Sequence, residues 1–334
     1  MRRGDAETRG RGDGSEILRK EGRASLFELC GHLEWRGWTH PARLYFLFFL
    51  TVLFFSVVKP ACPEDTLHLG TFPGVIKQGD VCFIRASGPA SLTSIHGEFQ
   101  GERFRMGFGA QKGTYEGLLG IDLNIRPAAY EIRVITTDGE GKVHRSSLLI
   151  KVKKADFKTQ RLSLPSTMVD LDPETLERVD REEKRLKALF QGLREEKLWG
   201  GAFLRPVPGE VATGFGLRRI INGQPRNPHT GVDLRGEKGT PVLACNGGVV
   251  VLVDELFFSG KSIILDHGWG LYSMYFHLSE TLAGGGDRVC KGTVLGRVGS
   301  TGRSTGPHLH WAVRMNGARV DPLSLLRLTE NLRE

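Results

Sequence analysis

The 334-residue chain is poor in cysteine, with five residues (Cys30, Cys62, Cys82, Cys245 and Cys290) and no Cys-x-x-Cys spacing. So few, so scattered, exclude a zinc knuckle and a disulfide framework, and most of these thiols read as small buried hydrophobes. A Cys245–Cys290 bridge stays open for an oxidising compartment. The chain also lacks a dominant charge. Its net charge is +8, with ten Lys/Arg against seven Asp/Glu in residues 1–59 and 36 against 31 in the remainder. That is an ordinary mixed surface, and without a finger, RNP or basic-helix pattern it excludes nucleic acid as a partner.

No apolar run reaches the length of a full membrane span. The longest, Leu44–Val58, is uncharged over 15 residues. As a helix it would cover about 22 Å, short of a hydrocarbon core of about 30 Å. That length fits the h-region of a signal peptide, or a short signal anchor in the inner membrane. Arg36 and Arg43 ahead of it favour a cytoplasmic N-terminus, with everything after Lys59 exported to the periplasm or held at the membrane facing it. Residues 1–43, Gly- and Arg-rich, read as a disordered basic leader. It is long for an n-region, so either the true start lies downstream of Met1 or the segment is a cytoplasmic tail. Ala61 suits the end of a signal, but Lys59 stands where a small residue is wanted and cleavage stays open. The same lysine weighs against lipidation of Cys62.

Glycine, in contrast, is plentiful: 44 residues, collecting after residue 200. This density of turns indicates a mainly β chain, and its length indicates about two domains. Residues 64–155 show short alternating runs (Val81–Ile84, Ile121–Ile125, Tyr130–Ile135, Leu148–Val152) broken by Gly, Pro and Asp, with a hairpin turn at 138–141. This texture suggests an Ig-like β-sandwich. His68, His96 and His144 are scattered there without partners. Residues 156–200 hold a linker and an amphipathic helix that starts with Asp172 as N-cap and Pro173 in the first turn, ending near Gly200-Gly201. Its apolar stripe is expected to join the two domains. Beyond Phe203, strand candidates are Gly248–Val253, Ser262–Leu265, Leu271–Phe276, Thr293–Val298 and His308–Val313. No helical pattern separates them, which excludes a parallel βαβ sheet and predicts an antiparallel one.

The chemistry concentrates in five residues. In a strand, His308 and His310 share one face while Leu309 takes the other. His229-Thr-Gly-Val-Asp233 has the spacing of one helical face, but Pro228, Gly231 and Gly236 favour a loop running into a strand. His, Asp and a second His make an N₂O donor set suited to Zn²⁺ with a fourth position left for water. His277 ends a strand-like run and reads as an acid/base group beside the metal. His267, in a turn, reads as structural. No His-Glu-x-x-His helix supplies a glutamate base, so proton transfer falls to histidine.

These motifs in order, His229-x-x-x-Asp233, Tyr275-Phe-His277-Leu and Gly306-Pro-His308-Leu-His310-Trp, resemble the lysostaphin/LytM-type zinc peptidases, which act on bacterial cell-wall peptides. Thr213-Gly-Phe-Gly216, Gly239-Thr-Pro-Val and Lys291–Gly302 match as well, so the resemblance covers roughly residues 203–326. It implies a duplicated-hybrid-motif β fold with a groove across the sheet and zinc on His229, Asp233 and His310. His277 and His308 then flank the water or the oxyanion: His308 assists the water and His277 partners the oxyanion, or the two exchange roles. The implied substrate is the peptidoglycan stem peptide, cut at D-Ala–meso-diaminopimelate crosslinks by a monomer. Phe215, Arg218 and Arg219 are candidate groove residues for the anionic stem; a loop aromatic and two solvated charges is the plainer reading. The alternatives are a catalytically silent LytM-type module that recruits an amidase, and a peptidase of proteins or wall-associated structural domain. A silent module should lack a ligand, and here none is lacking.

Overall fold

The computed structural model describes residues 67–163 and 171–330. The leader, the 44–58 run and Cys62 lie outside the described residues. Among the described residues no helix is long and apolar enough to cross a membrane.

Eight strands between His68 and Lys153 form one sheet. Its hairpin of Ala129–Thr137 and Val143–Lys153 shows why these residues make strands: Ile132 and Val134 face a buried core while Glu131 and Arg133 point outward. The connecting turn is held by the Asp138 carboxylate, which accepts from the backbone N–H of Glu140 at 3.0 Å and of Lys142 at 2.9 Å. The same carboxylate reaches the His144 ring at 2.8 Å. Strand Glu102–Phe108 pairs with Ser94–Phe99 through residues 102–105 and with Thr114–Gly120 through residues 106–108. It thereby bends from one layer to the other around a shared core of Ile84, Phe104, Tyr115, Ile132 and Val152. The two separate sheets of an Ig-like sandwich are thus joined here into one.

The helix runs over Pro173–Leu189, where the Asp172 side chain accepts from the Thr175 backbone N–H at 2.9 Å as an N-cap. It stops well short of Gly200. Past Phe190 the backbone is taken by the neighbouring domain instead: Trp269 N–H donates to Arg194 O and Leu198 N–H to His267 O, both at 2.9 Å, and Trp199 and Phe203 are buried. The apolar stripe also differs from expectation. Leu186, Leu189 and Phe190 pack on Leu252, Ile264, Tyr272, Met274 and Ala312, so the helix lies on the C-terminal sheet.

That sheet has ten strands, all antiparallel in their pairings. The five strand candidates fall on Gly248–Leu256, Gly260–Asp266, Leu271–Thr281, Val294–Val298 and His308–Met315. In the last, Leu309, Trp311, Val313 and Met315 are fully buried, leaving His308, His310 and Arg314 for the opposite face. The N-terminal sheet is fused to this domain. Val81, Phe83 and Leu118 share one core with Met315, Val320, Leu325 and Leu328. Asp122 holds Arg319 through bonds of 2.8 and 3.1 Å, and Asp321 N–H donates to Gly79 O at 2.7 Å. Cys82, Cys245 and Cys290 are free thiols, so Cys245 and Cys290 are not bridged.

His267 is a buried structural residue. Its Nδ1–H donates to Gly247 O at 2.6 Å, and its Nε2 pairs with the Ser273 hydroxyl at 2.7 Å. Burial pushes its pKa down to about 4. The unfolded chain, with a histidine pKa near ~6.5, therefore binds a proton that the folded chain refuses. Its stabilising contribution is complete above that pH and is lost as pH falls towards 4, by up to ~1.4 kcal/mol per pH unit. In denaturant melts at pH 7 and pH 5, the stability gap between wild type and His267→Gln should narrow at pH 5. A gap independent of pH would mean that the ring is not buried neutral.

Candidate metal centre and active site

The register of two strands builds the site. Gly231–Arg235 pairs antiparallel with His308–Met315, setting Asp233 opposite His310 and Arg235 opposite His308. Because side chains alternate, the carboxylate and both imidazoles fall on one face. His229 lies just before its strand, in an extended segment whose N–H donates to Leu217 O at 2.9 Å. His277 sits in Leu271–Thr281 with the left-handed φ of +62°, its N–H bonded to Ser259 O at 2.8 Å. This departure from strand geometry accompanies the turn of its ring towards His308, with ring centres 4.9 Å apart.

Each of three rings is oriented by a backbone carbonyl. Nδ1–H donates to Gly214 O at 2.9 Å in His229, to Thr301 O at 2.8 Å in His277 and to Gly306 O at 2.8 Å in His308. In the neutral ring this leaves Nε2 as the lone-pair atom. His229 Nε2 lies 3.0 Å from Asp233 Oδ1 and 3.0 Å from His310 Nδ1, and His310 Nδ1 lies 2.8 Å from the same oxygen. His308 Nε2 lies 3.7 Å from it. Phe276 stacks flat on the His310 ring, with planes 8° apart.

One ligand atom from each of His229, Asp233 and His310 thus falls within 4.8 Å of the others. His229 and Asp233 are only 5% and 8% exposed. Lone pairs crowded at this distance in a buried place repel unless a proton or a cation sits among them, and the two nitrogens and one oxygen fit a divalent metal of the zinc type. Electrostatics agree. Burial would raise the Asp233 pKa, but the two rings beside it, of His229 and His310, outweigh that and hold the carboxyl well below the usual range, so it is ionised. Burial lowers the pKa of His310, and pushes that of His277 down to about 4, so both rings stay neutral and able to offer a lone pair. Gly231 is required by this packing: a Cβ there would lie 2.5 Å from Trp311 O and 2.7 Å from His310 Nε2.

All five expected residues are brought together; of the three expected groove residues, Phe215 is held in packing contacts, and Arg218 and Arg219 stand on a neighbouring strand. The Phe215 ring meets Phe157 edge-on at 6.1 Å and lies where a Cβ on Gly79 would be, so it is part of the packing of the N-terminal segments. Arg218 and Arg219 lie on strand Arg218–Ile221, which pairs on one side with Gln224–Arg226 and on the other, in parallel, with Thr159–Leu162 from the linker. Sequence reasoning missed the orienting carbonyls of Gly214, Thr301 and Gly306. They fall within or beside the glycine-rich stretches that carry the resemblance, but backbone acceptors have no residue-type signature. It also missed Phe276, whose placement opposite His310 follows from strand register.

Comparison with known proteins agrees with this geometry. Residues 227–322 match the model of peptidase family M23. Over 134 residues the chain is 38% identical to DD-carboxypeptidase/endopeptidase Mpg of Neisseria meningitidis, a match covering 40% of this chain and 31% of that protein. Over 114 residues it is 35% identical to peptidoglycan DD-endopeptidase ShyA of Vibrio cholerae, covering 34% and 26%. The chain therefore spans about a third or less of these curated relatives. A crystal structure from Pseudomonas aeruginosa assigned to peptidase M23 aligns with a TM-score of 0.60 and 28% identity over 75% of this chain and 95% of that one, so the likeness extends beyond the C-terminal domain. Residues 227–322 are accordingly similar to the domain of peptidase family M23, and in this chain they follow a β-sheet domain.

Proposed function

We propose that the chain is a zinc-dependent endopeptidase that hydrolyses peptide crosslinks of exported, periplasmic peptidoglycan, with D-Ala–meso-diaminopimelate as the bond cut. The observation that carries this reading is the convergence of an intact His229–Asp233–His310 donor set with two further rings whose Nε2 atoms are left free. The names of the relatives, peptidoglycan DD-endopeptidase among them, support the substrate class.

His229, Asp233 and His310 would hold the ion. When bound, zinc supplies a Lewis acid for the scissile carbonyl and makes a nearby water more acidic. The chain's own work is proton handling. With Nδ1–H committed to Thr301 O and Gly306 O, Nε2 of His277 and of His308 is an acceptor and can take a proton from the attacking water. An Nε2 without hydrogen cannot donate to an oxyanion. The oxyanion partner is therefore the ring that has just been protonated, and the same N–H then protonates the departing amine. The ring of this pair that faces the water takes that part, and its neighbour, with ring centres 4.9 Å apart, accepts a hydrogen bond from the water's other O–H and so aims the attack.

Three outcomes check this reading. His229→Ala, Asp233→Ala and His310→Ala should lose stoichiometric zinc by elemental analysis of dialysed protein, while His277→Ala and His308→Ala retain it and lose roughly 10²–10⁴-fold in turnover on purified sacculi. Undiminished hydrolysis by both of the latter variants would defeat the assignment. Chelation should abolish release of crosslink-derived peptides from sacculi, and mass analysis of those peptides identifies the bond. Gly231→Ala should weaken metal affinity by about 10–100-fold through the displaced His310 ring, measured by competition with a zinc chelator.

A further inference from the structure

Three arginines on the segments that orient the rings of the site have no acidic partner among the described residues. Arg219 on strand Arg218–Ile221 stands directly opposite Arg226 on strand Gln224–Arg226. Like charges directly opposed across two strands are destabilising, and in proteins they are ordinarily separated or neutralised by an acid. Among the described residues neither guanidinium has an ion pair or hydrogen bond. The third is Arg303, whose guanidinium lies over the Phe258 ring at 4.1 Å and likewise has no acidic partner among the described residues. Its pKa is lowered by burial and then by repulsion from Arg219 and Arg226, so the three charges occupy one neighbourhood.

Their positions in the chain matter as much as their charge. The Arg219–Arg226 hairpin lies between the Gly214–Leu217 segment, which holds the His229 ring and its backbone, and His229 itself. Arg303 belongs to the loop whose Thr301 carbonyl holds His277 and whose Gly306 carbonyl holds His308. The same two segments that orient the rings therefore present the three cations. Alternation puts Arg218 on the other face of its strand, away from Arg219, so it is not part of this group. Guanidinium is the side chain suited to binding carboxylates through paired N–H donors.

We propose that Arg219, Arg226 and Arg303 form a carboxylate-binding subsite beside the metal centre, which selects stem peptides bearing free carboxylates over amidated ones. The inference rests on the peptidoglycan reading above and deepens it by assigning the substrate's charge state. The repulsion among the three cations is relieved when an anionic group lies between them, so binding energy is available to substrates that carry that group and unavailable to their amides.

The test uses the full chain with a crosslinked muropeptide carrying free carboxylates and the same muropeptide amidated at those groups. The wild type should bind and cleave the acid form about tenfold or more better than the amide, mainly through KM. In Arg219→Gln, Arg226→Gln and Arg303→Gln the acid-to-amide ratio should fall towards one, and Arg219→Lys should restore part of it. Zinc content and thermal midpoint, measured on each variant, report whether the site remains assembled. A wild-type ratio near one, or a ratio kept in the triple variant, would overturn the subsite. Binding separates this inference from the reading it rests on: preferential binding of the acid form without cleavage leaves the subsite standing and removes the endopeptidase.

Discussion

The pairing of Asp233 with His310 across two antiparallel strands is the constraint on which the rest of the site depends. Slipping that pairing by one residue would turn Leu309 into the site and both imidazoles into the core. The slip would also expose Leu309, Trp311, Val313 and Met315, all fully buried. At ~1.5–3 kcal/mol for each large apolar side chain, the loss is on the order of 6–12 kcal/mol. A few kcal/mol of repulsion among crowded lone pairs and partly desolvated charges is small beside it. The core thus over-determines the register, and the register holds together groups that would otherwise separate. The donor set is stable as an arrangement because the opposite face of the same strand is hydrophobic.

Register sets which face a ring occupies; it does not set which nitrogen it offers. That second specification comes from loops. Gly214, Thr301 and Gly306 each take one Nδ1–H, and these acceptors belong to segments held in place by their own contacts. Gly216, with φ of +77°, admits the Phe157 ring where any Cβ would sit 2.2 Å from it, and Arg218 N–H donates to Lys158 O at 2.9 Å. The linker that follows the N-terminal sheet therefore braces the loop that orients His229. Thr301 bridges the other side: its carbonyl holds His277, and its hydroxyl accepts from Lys261 N–H at 2.9 Å and donates to Leu278 O at 2.8 Å.

The parts of this arrangement visible in the sequence are those governed by short-range periodicity. His308-Leu309-His310 announces its own face by alternation, and the Asp172-Pro173 pair announces its helix start through a cap that needs only three residues. The helix end was not visible, because residues after Phe190 are claimed by hydrogen bonds to Arg194 and Leu198 from partners some 70 residues away. The bend of Glu102–Phe108 from one layer into the other is likewise decided by which strand each half pairs with. Phe215 read as a groove aromatic because its neighbours in sequence lead to His229; its neighbours in space are Phe157 and Gly79, from outside the domain. Arg226 and Arg303 escaped notice for the same reason, since each is unremarkable until the fold sets it near Arg219.

The N-terminal sheet and the helix shape the catalytic face as well as adjoining it. On strand Leu271–Thr281, Phe276 stands opposite His310 and Met274 opposite Ala312. Met274 and Ala312 are covered by Leu186, Leu189 and Phe190, so the sheet face that begins at the metal centre runs under the helix within two residues. A cleft lined by Phe276, Pro228 and Thr230 on the site side continues to Leu186 and Phe190 on the helix and to Gln100 and Glu102 on the N-terminal sheet. The N-terminal side of this cleft is fixed by a core that Val81, Phe83 and Leu118 share with Met315 and Leu325, so it cannot leave without opening that core to water. The boundary of the groove is consequently a packed structural element, and its shape is set by the same burial that fixes the strand register.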